Sequence, residues 1–169
     1  MNSGKVFAAP WSISLKLITL SSVVVLGSLP VFGLFNIHDN MHVGITAALF
    51  VLPGAILFIS VFFLIRNYQI SKGVLYIQRL GWKTKLDLSG LESAATDPEA
   101  MKASIRTFGN GGLFCFAGKF RNRKLGPYRA FATNPNLSVV LKFPDKIVVV
   151  TPETPSEFVK VLERGKERI

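Results

Sequence analysis

Eight basic side chains lie between Ala100 and Pro144, and no Asp or Glu lies among them. The densest run is Lys119-Phe-Arg-Asn-Arg-Lys124, and Arg129 follows within a strand-like segment. Cations without interleaved acids neutralise an anionic partner; they do not form an acid–base pair. Lys119, Arg121, Arg123, Lys124 and Arg129 are therefore the candidate contact residues for anionic lipid or an acidic protein surface. A solvated strand end serving solubility is the plainer alternative. Nucleic acid is disfavoured, because the charge comes without a recognition motif or an aromatic stacking platform.

Other chemistry is sparse. His38 and His42 are the two histidines, and both precede residue 66. The later part of the chain thus lacks the histidine of a Ser-His-Asp triad or of a histidine-based zinc site. His38, Asp39 and His42 have the spacing to share a metal, but a closed site needs further ligands, so a hydrated link is expected there. Gly109-Asn-Gly-Gly112 lacks the Gly-Lys-Ser/Thr ending of a phosphate loop, and Phe114 stands where a dinucleotide fingerprint needs glycine. A tight turn with positive φ is the expected use. Cys115 is the single cysteine, which excludes an internal disulfide, and its alternating neighbours suggest a small buried thiol. The acids suggest no paired carboxylates. No catalytic residue, metal or cofactor is expected.

The elements that must position the basic stretch follow from hydropathy. Two charge-free runs, Leu17–Phe35 and Val43–Ile65, each approach the ~20 residues that a helix needs to cross a bilayer. Their link, residues 36–42, has no Lys or Arg. Lys5 and Lys16 precede the first run, and Arg66, Lys72, Arg79, Lys83 and Lys85 follow the second. Excess Lys and Arg mark cytoplasmic flanks. Residues 1–67 are thus expected to form a membrane hairpin, with spans near 15–35 and 43–65 and both termini cytoplasmic. A cleaved signal peptide is a weaker reading of the first run, since no Ala-x-Ala site follows it. Gly44, Ala48, Val51 and Ala55 share a helix face and would let the helices approach.

Beyond Arg66 the period becomes strand-like. Strands are expected at Tyr68–Gln78 with a break at Gly73, at Trp82–Leu88, Leu113–Phe120, Tyr128–Thr133, Ser138–Phe143 and Lys146–Thr151. Thr96-Asp-Pro-Glu99 suggests the start of a short helix through Lys102. A final helix starts at Thr154, with Pro155 in its first turn and Glu157 completing a capping box. Its stripe of Phe158, Val161, Leu162 and Ile169 would close one end of the strand assembly. The expected fold of residues 68–169 is α+β: a small, partly open barrel or sandwich plugged by an amphipathic helix.

Strands, a late insertion, more strands and one closing helix resemble the pleckstrin-homology-like order. Arg106–Phe120, Tyr128–Thr133 and Ile147–Phe158 are similar to bacterial pleckstrin-homology-like families, whose members often place this domain after a two-helix hairpin. The resemblance implies a binding or assembly module at the cell membrane, such as a bacterial inner membrane, with no general enzymatic reaction. It does not carry over an inositol-phosphate pocket, since only Lys83-Thr-Lys85 approaches the Lys-x-(Lys/Arg) pattern of the eukaryotic lipid-binding type. The expected partners are the bilayer, anionic lipid headgroups, and a protein partner or a second copy. The alternative is an accessory subunit of a membrane enzyme or transporter complex.

Overall fold

The computed structural model describes residues 4–36 and 43–166. The His38-Asp39-His42 cluster and Ile169 lie outside the described residues. In chain order the first elements are strand β1 (Lys5–Ala8) and the helices α1 (Ile13–Asn36) and α2 (Val43–Phe62). Strands β2 (Ile65–Ser71), β3 (Val74–Arg79), β4 (Lys83–Asp87), β5 (Ser93–Thr96) and β6 (Ile105–Gly111) follow. The chain continues through β7 (Phe116–Asn122), β8 (Gly126–Ala132), β9 (Val139–Lys142), β10 (Ile147–Val150) and α3 (Pro155–Lys166).

Both long helices are strongly apolar, with Lys16 in the first turn of α1 as their one charged residue, and only 11% and 6% of their most apolar windows are buried. Core helices of a soluble protein would be covered. Ser22 and Ser28 return their hydroxyls to the carbonyls of Ile18 and Val25, which satisfies them within the helix. The helices approach at Gly33, where an added Cβ would lie 3.4 Å from Leu49. The expected seam on α2 holds only in part: Ala48 and Ala55 are half-buried, whereas Val51 is exposed and Gly44 has open space beside it.

The β domain is two sheets rather than a closed barrel, with orders β1-β2-β3-β4 and β5-β9-β10-β8-β7-β6. It is sandwich-like. Tyr68, Leu75 and Ile77 of the first sheet meet Phe131, Val139, Leu141, Val148 and Val150 of the second in the main core. From α3, Phe158 and Leu162 enter that core. The Phe158 ring meets Phe7 edge-on at 5.0 Å. The Thr154 carbonyl accepts from Phe158 N, and its hydroxyl bonds the Glu157 carboxylate, so the helix starts where the cap residues place it. Tyr68 is fully buried; its hydroxyl donates to the Phe131 carbonyl at 2.7 Å, and burial pushes its pKa up to about 12.

Several expected elements differ. The break at Gly73 is a two-residue hairpin turn: Lys72 and Gly73 have φ of 50° and 71°, and positive φ at both positions matches strand twist. The short helix expected from Thr96 is absent. Thr96 ends β5, and Asp97 instead organises successive turns, accepting from Glu99 N through its side chain and from Ala100 N through its carbonyl. These turns cover a second, smaller cluster of Ala100, Phe120, Tyr128, Ala130, Val140 and Val149 on the outer side of the larger sheet. Gly109 lies within β6, and the tight turn comes later, at residues 112–115. Gly109 pairs directly with Gly118 at positive φ, and a Cβ on either would strike the facing backbone.

Strand β1 has no counterpart in the expected elements. It precedes α1, yet pairs antiparallel with β2, which follows α2; Ala8 lies opposite Asn67. Its carbonyl at Ala8 accepts from Glu153 N, and Lys5 forms an ion pair with Glu157. The two ends of the helical hairpin are thereby stitched into one sheet.

Candidate functional site

The domain grips the start of α1. Ser12 caps it by accepting from Leu15 N at 3.0 Å, while Ser12 N donates to the Thr133 carbonyl. Thr19 donates to the Gly112 carbonyl and accepts from Phe114 N, both at 3.1 Å. Asn110 braces the same turn by accepting from Gly112 N and Leu113 N. At the end of α2, Leu80 N donates to the Leu64 carbonyl, and Gly81 lies against Phe62. The β3–β4 turn therefore rests on the foot of α2, with Leu80 and Trp82 partly exposed beside it.

Register determines which cations share a face. Ala117 of β7 and Phe131 of β8 are cross-strand partners in the main core. Two residues on, the same face carries Lys119 directly opposite Arg129. Arg121 continues it on β7, and Phe108 and Ile105 of β6 stand opposite Lys119 and Arg121. Phe108 and Ile105 each expose 74% of their surface. Among the described residues no carboxylate is within ion-pair distance of Lys119, Arg121 or Arg129. Like charges directly opposite on a sheet repel, so this row is a place where an anion would relieve a cost already built into the fold.

The structure divides the five expected contact residues. Lys119, Arg121 and Arg129 share the face just described. Arg123 and Lys124 lie in the β7–β8 turn, at the end of β7 opposite the turn that touches α1. Lys124 bonds Asp97 at 2.6 Å, and the Asn122 side chain donates to the Ala100 carbonyl at 2.8 Å. That turn is latched to the 97–104 segment. Lys83 and Lys85 stand opposite Gln78 and Tyr76, on the strand face turned away from the core.

Arg79 is the residue that the basic stretch did not reveal. It exposes 9% of its surface at the end of β3. Its guanidinium carbon lies 5.5 Å from the ring centre of Phe63, 5.3 Å from Trp82 and 5.3 Å from Phe131. Arg129 packs on the same Phe131 ring at 4.8 Å. Each cation–π contact contributes about 0.5–2 kcal/mol, and the cost of taking the guanidinium out of water offsets that gain. Burial lowers the Arg79 pKa; Cys115 works against this and Arg129 adds to it. The sequence held a sign of this residue: Leu75, Ile77 and Arg79 share one register, so a cation occupies a core-facing position.

Beyond Phe63, an open groove of about 420 Å³ separates the last turn of α2 from β6. Ser60, Phe63, Arg106, Phe108, Asn110 and Leu113 are among the residues that line it. Cys115 lies buried beneath, its thiol donating to the Phe63 carbonyl and pushed by burial up to about 12, which keeps it protonated and inert at neutral pH. Among the described residues no cluster of His, Cys, Asp or Glu could hold a metal.

The arrangement suits the binding of an anion beside two apolar helices. No curated protein and no solved structure matches this chain. The family model of the bacterial PH domain matches residues 66–166, the span from β2 to the end of α3. The chain therefore belongs to the bacterial PH domain family.

Proposed function

We propose that this is a non-enzymatic, membrane-anchored binding module of the bacterial inner membrane. Helices α1 and α2 cross the bilayer, and the domain rests on its cytoplasmic surface. The cationic face of Lys119, Arg121 and Arg129 contacts anionic headgroups. The observation that carries this reading is the direct opposition of Lys119 and Arg129 on an acid-free face of a domain fastened to both helices. Pairing of β1 with β2 supports entry and exit of the hairpin on one side, and the Lys and Arg after residue 65 support that side being cytoplasmic. Each basic side chain near an anionic surface contributes roughly 1 kcal/mol. Arg123 and Lys124 extend the charge at the far turn. A protein partner, as in an accessory subunit of a membrane enzyme or transporter, finds support in edge strand β6, where Ile105 and Phe108 are exposed.

The test is lipid retention. The full chain, released from native membranes in mild detergent, should retain phosphatidylglycerol or cardiolipin above their bulk share, read by native mass spectrometry. Joint replacement of Lys119, Arg121 and Arg129 by Ser should abolish that enrichment. Retention in bulk proportions by the unaltered chain would overturn the reading, and a stoichiometric enzyme partner would favour the accessory role.

A further inference from the structure

We propose that Arg79, Arg129 and Lys119 form a clamp for one phosphate group at the foot of α2. This rests on the anionic-lipid reading and deepens it by naming the ligand chemistry and a buried anchor. Three observations converge. First, Arg79 is more than nine-tenths buried, yet its side chain finds only rings, and its Nε is buried without a hydrogen-bond partner. A guanidinium offers five donors in a rigid fork suited to phosphate oxygens. Second, Arg129 shares the Phe131 ring with Arg79, and Lys119 stands directly opposite Arg129. Among the described residues no carboxylate is within ion-pair distance of the three. Third, the cluster has an apolar flank suited to an acyl chain: partly exposed Trp82 and Leu80, and the groove along Ser60, Phe63 and Phe108.

A buried cation held only by aromatic faces is a poor stability device, because an apolar side chain of similar volume would fill the position without a desolvation cost. Its presence at a core-facing position is accounted for by a ligand that completes its hydrogen bonds. A headgroup bearing its own cation, such as phosphatidylcholine, would be repelled by Arg129 and Lys119. Phosphatidic acid or phosphatidylglycerol would not, and a free phosphate ester shares the same recognition chemistry.

The experiment uses the full chain with Trp11→Phe, leaving Trp82 as the single tryptophan, reconstituted in phosphatidylcholine nanodiscs. Trp82 emission is read against phosphatidic acid admixed in the disc, and separately against soluble sn-glycerol 3-phosphate. A saturable response to phosphatidic acid alone assigns the site to a lipid-borne phosphate. A response to both assigns it to the phosphate itself. Either supports the clamp. Arg79→Met should weaken the response at least tenfold while leaving the thermal midpoint equal to or above that of the parent. Lys119→Ser should weaken it without altering the Arg79 stack. No response to either probe, or an unchanged response in Arg79→Met, overturns the clamp. If the nanodisc response is unchanged in Arg79→Met while anionic lipids stay enriched under native mass spectrometry, the broader surface reading stands and the clamp alone falls. If the nanodisc response holds while no anionic lipid is enriched, the clamp stands and the surface reading falls.

Discussion

Replacing Phe158 by Ala should destabilise the domain by about 3–5 kcal/mol, the usual loss for a fully buried aromatic. Phe158 has no exposed surface. Its ring meets Phe7 at 5.0 Å and Tyr68 at 6.3 Å, so truncation removes one partner from two further core rings. The cavity would open among residues from β1, β2 and α3, which belong to three separate parts of the chain. Relaxation should therefore recover little of the loss. The effect is read as a lower denaturant midpoint for the domain, with the helical signal of α1 and α2 unchanged. A near-neutral midpoint would mean that α3 does not close the core.

Excising the hairpin gives the second large effect. Ala9 N lies 3.3 Å from the Arg66 carbonyl it bonds, so residues 11–62 can be replaced by a short Gly-Ser loop. β1 and β2 then become an ordinary antiparallel hairpin. This chain should be soluble and fold cooperatively. The same chain begun at Phe63, without β1, should be less stable by at least about 3 kcal/mol, since it loses the buried Phe7 ring in addition to one strand of the first sheet. It also loses the Glu153–Ala8 hydrogen bond and the Lys5–Glu157 pair. Equal unfolding midpoints for the two chains would show that β1 is an ornament and that the stitch between the hairpin ends is weak.

That strand is also the clearest limit of sequence reading here. Lys5-Val-Phe-Ala8 is too short for period-2 alternation to register, and only Phe7 is buried. Its partner lies beyond both apolar helices. Strand β6 was hidden for other reasons. It is an edge strand whose first five residues are exposed, it contains two glycines, and its register shifts between Arg106 and Phe108. There Thr107 takes the extra position, its hydroxyl donating to the Lys119 carbonyl. A bulge of this kind erases the alternation that reveals a strand. By contrast, β3, β4 and β8–β10 were legible, because most of their inward residues are apolar, with Arg79 at the end of β3 and Thr84 in β4 as exceptions. The capped start of α3 was legible from Thr154, Pro155 and Glu157 alone.

The site was legible by half. Alternation along Lys119-Phe-Arg121 places both cations on one strand face. That Arg129 stands opposite Lys119 is a matter of register, which turn length and packing determine and composition does not. Lys124 looked equivalent to its neighbours, yet it is tied to Asp97 across a gap of many residues. Arg79 was outside the basic stretch altogether; only its place in the apolar register of β3 distinguishes it from a surface arginine.

The most direct test of the account is flotation of the hairpin-excised chain with vesicles, because its soluble form has no anchor to hold it at a membrane. At low salt it should float with phosphatidylglycerol-containing vesicles and remain behind with phosphatidylcholine alone. Binding should fade toward 1 M salt, where screening acts over ~3 Å. Joint replacement of Lys119 and Arg129 by Ser should remove most of the binding while leaving the unfolding midpoint equal or higher, since two opposed cations repel. Equal flotation with both vesicle types at low salt, or undiminished binding by the double variant, would contradict the claim that this face of the domain meets the anionic membrane.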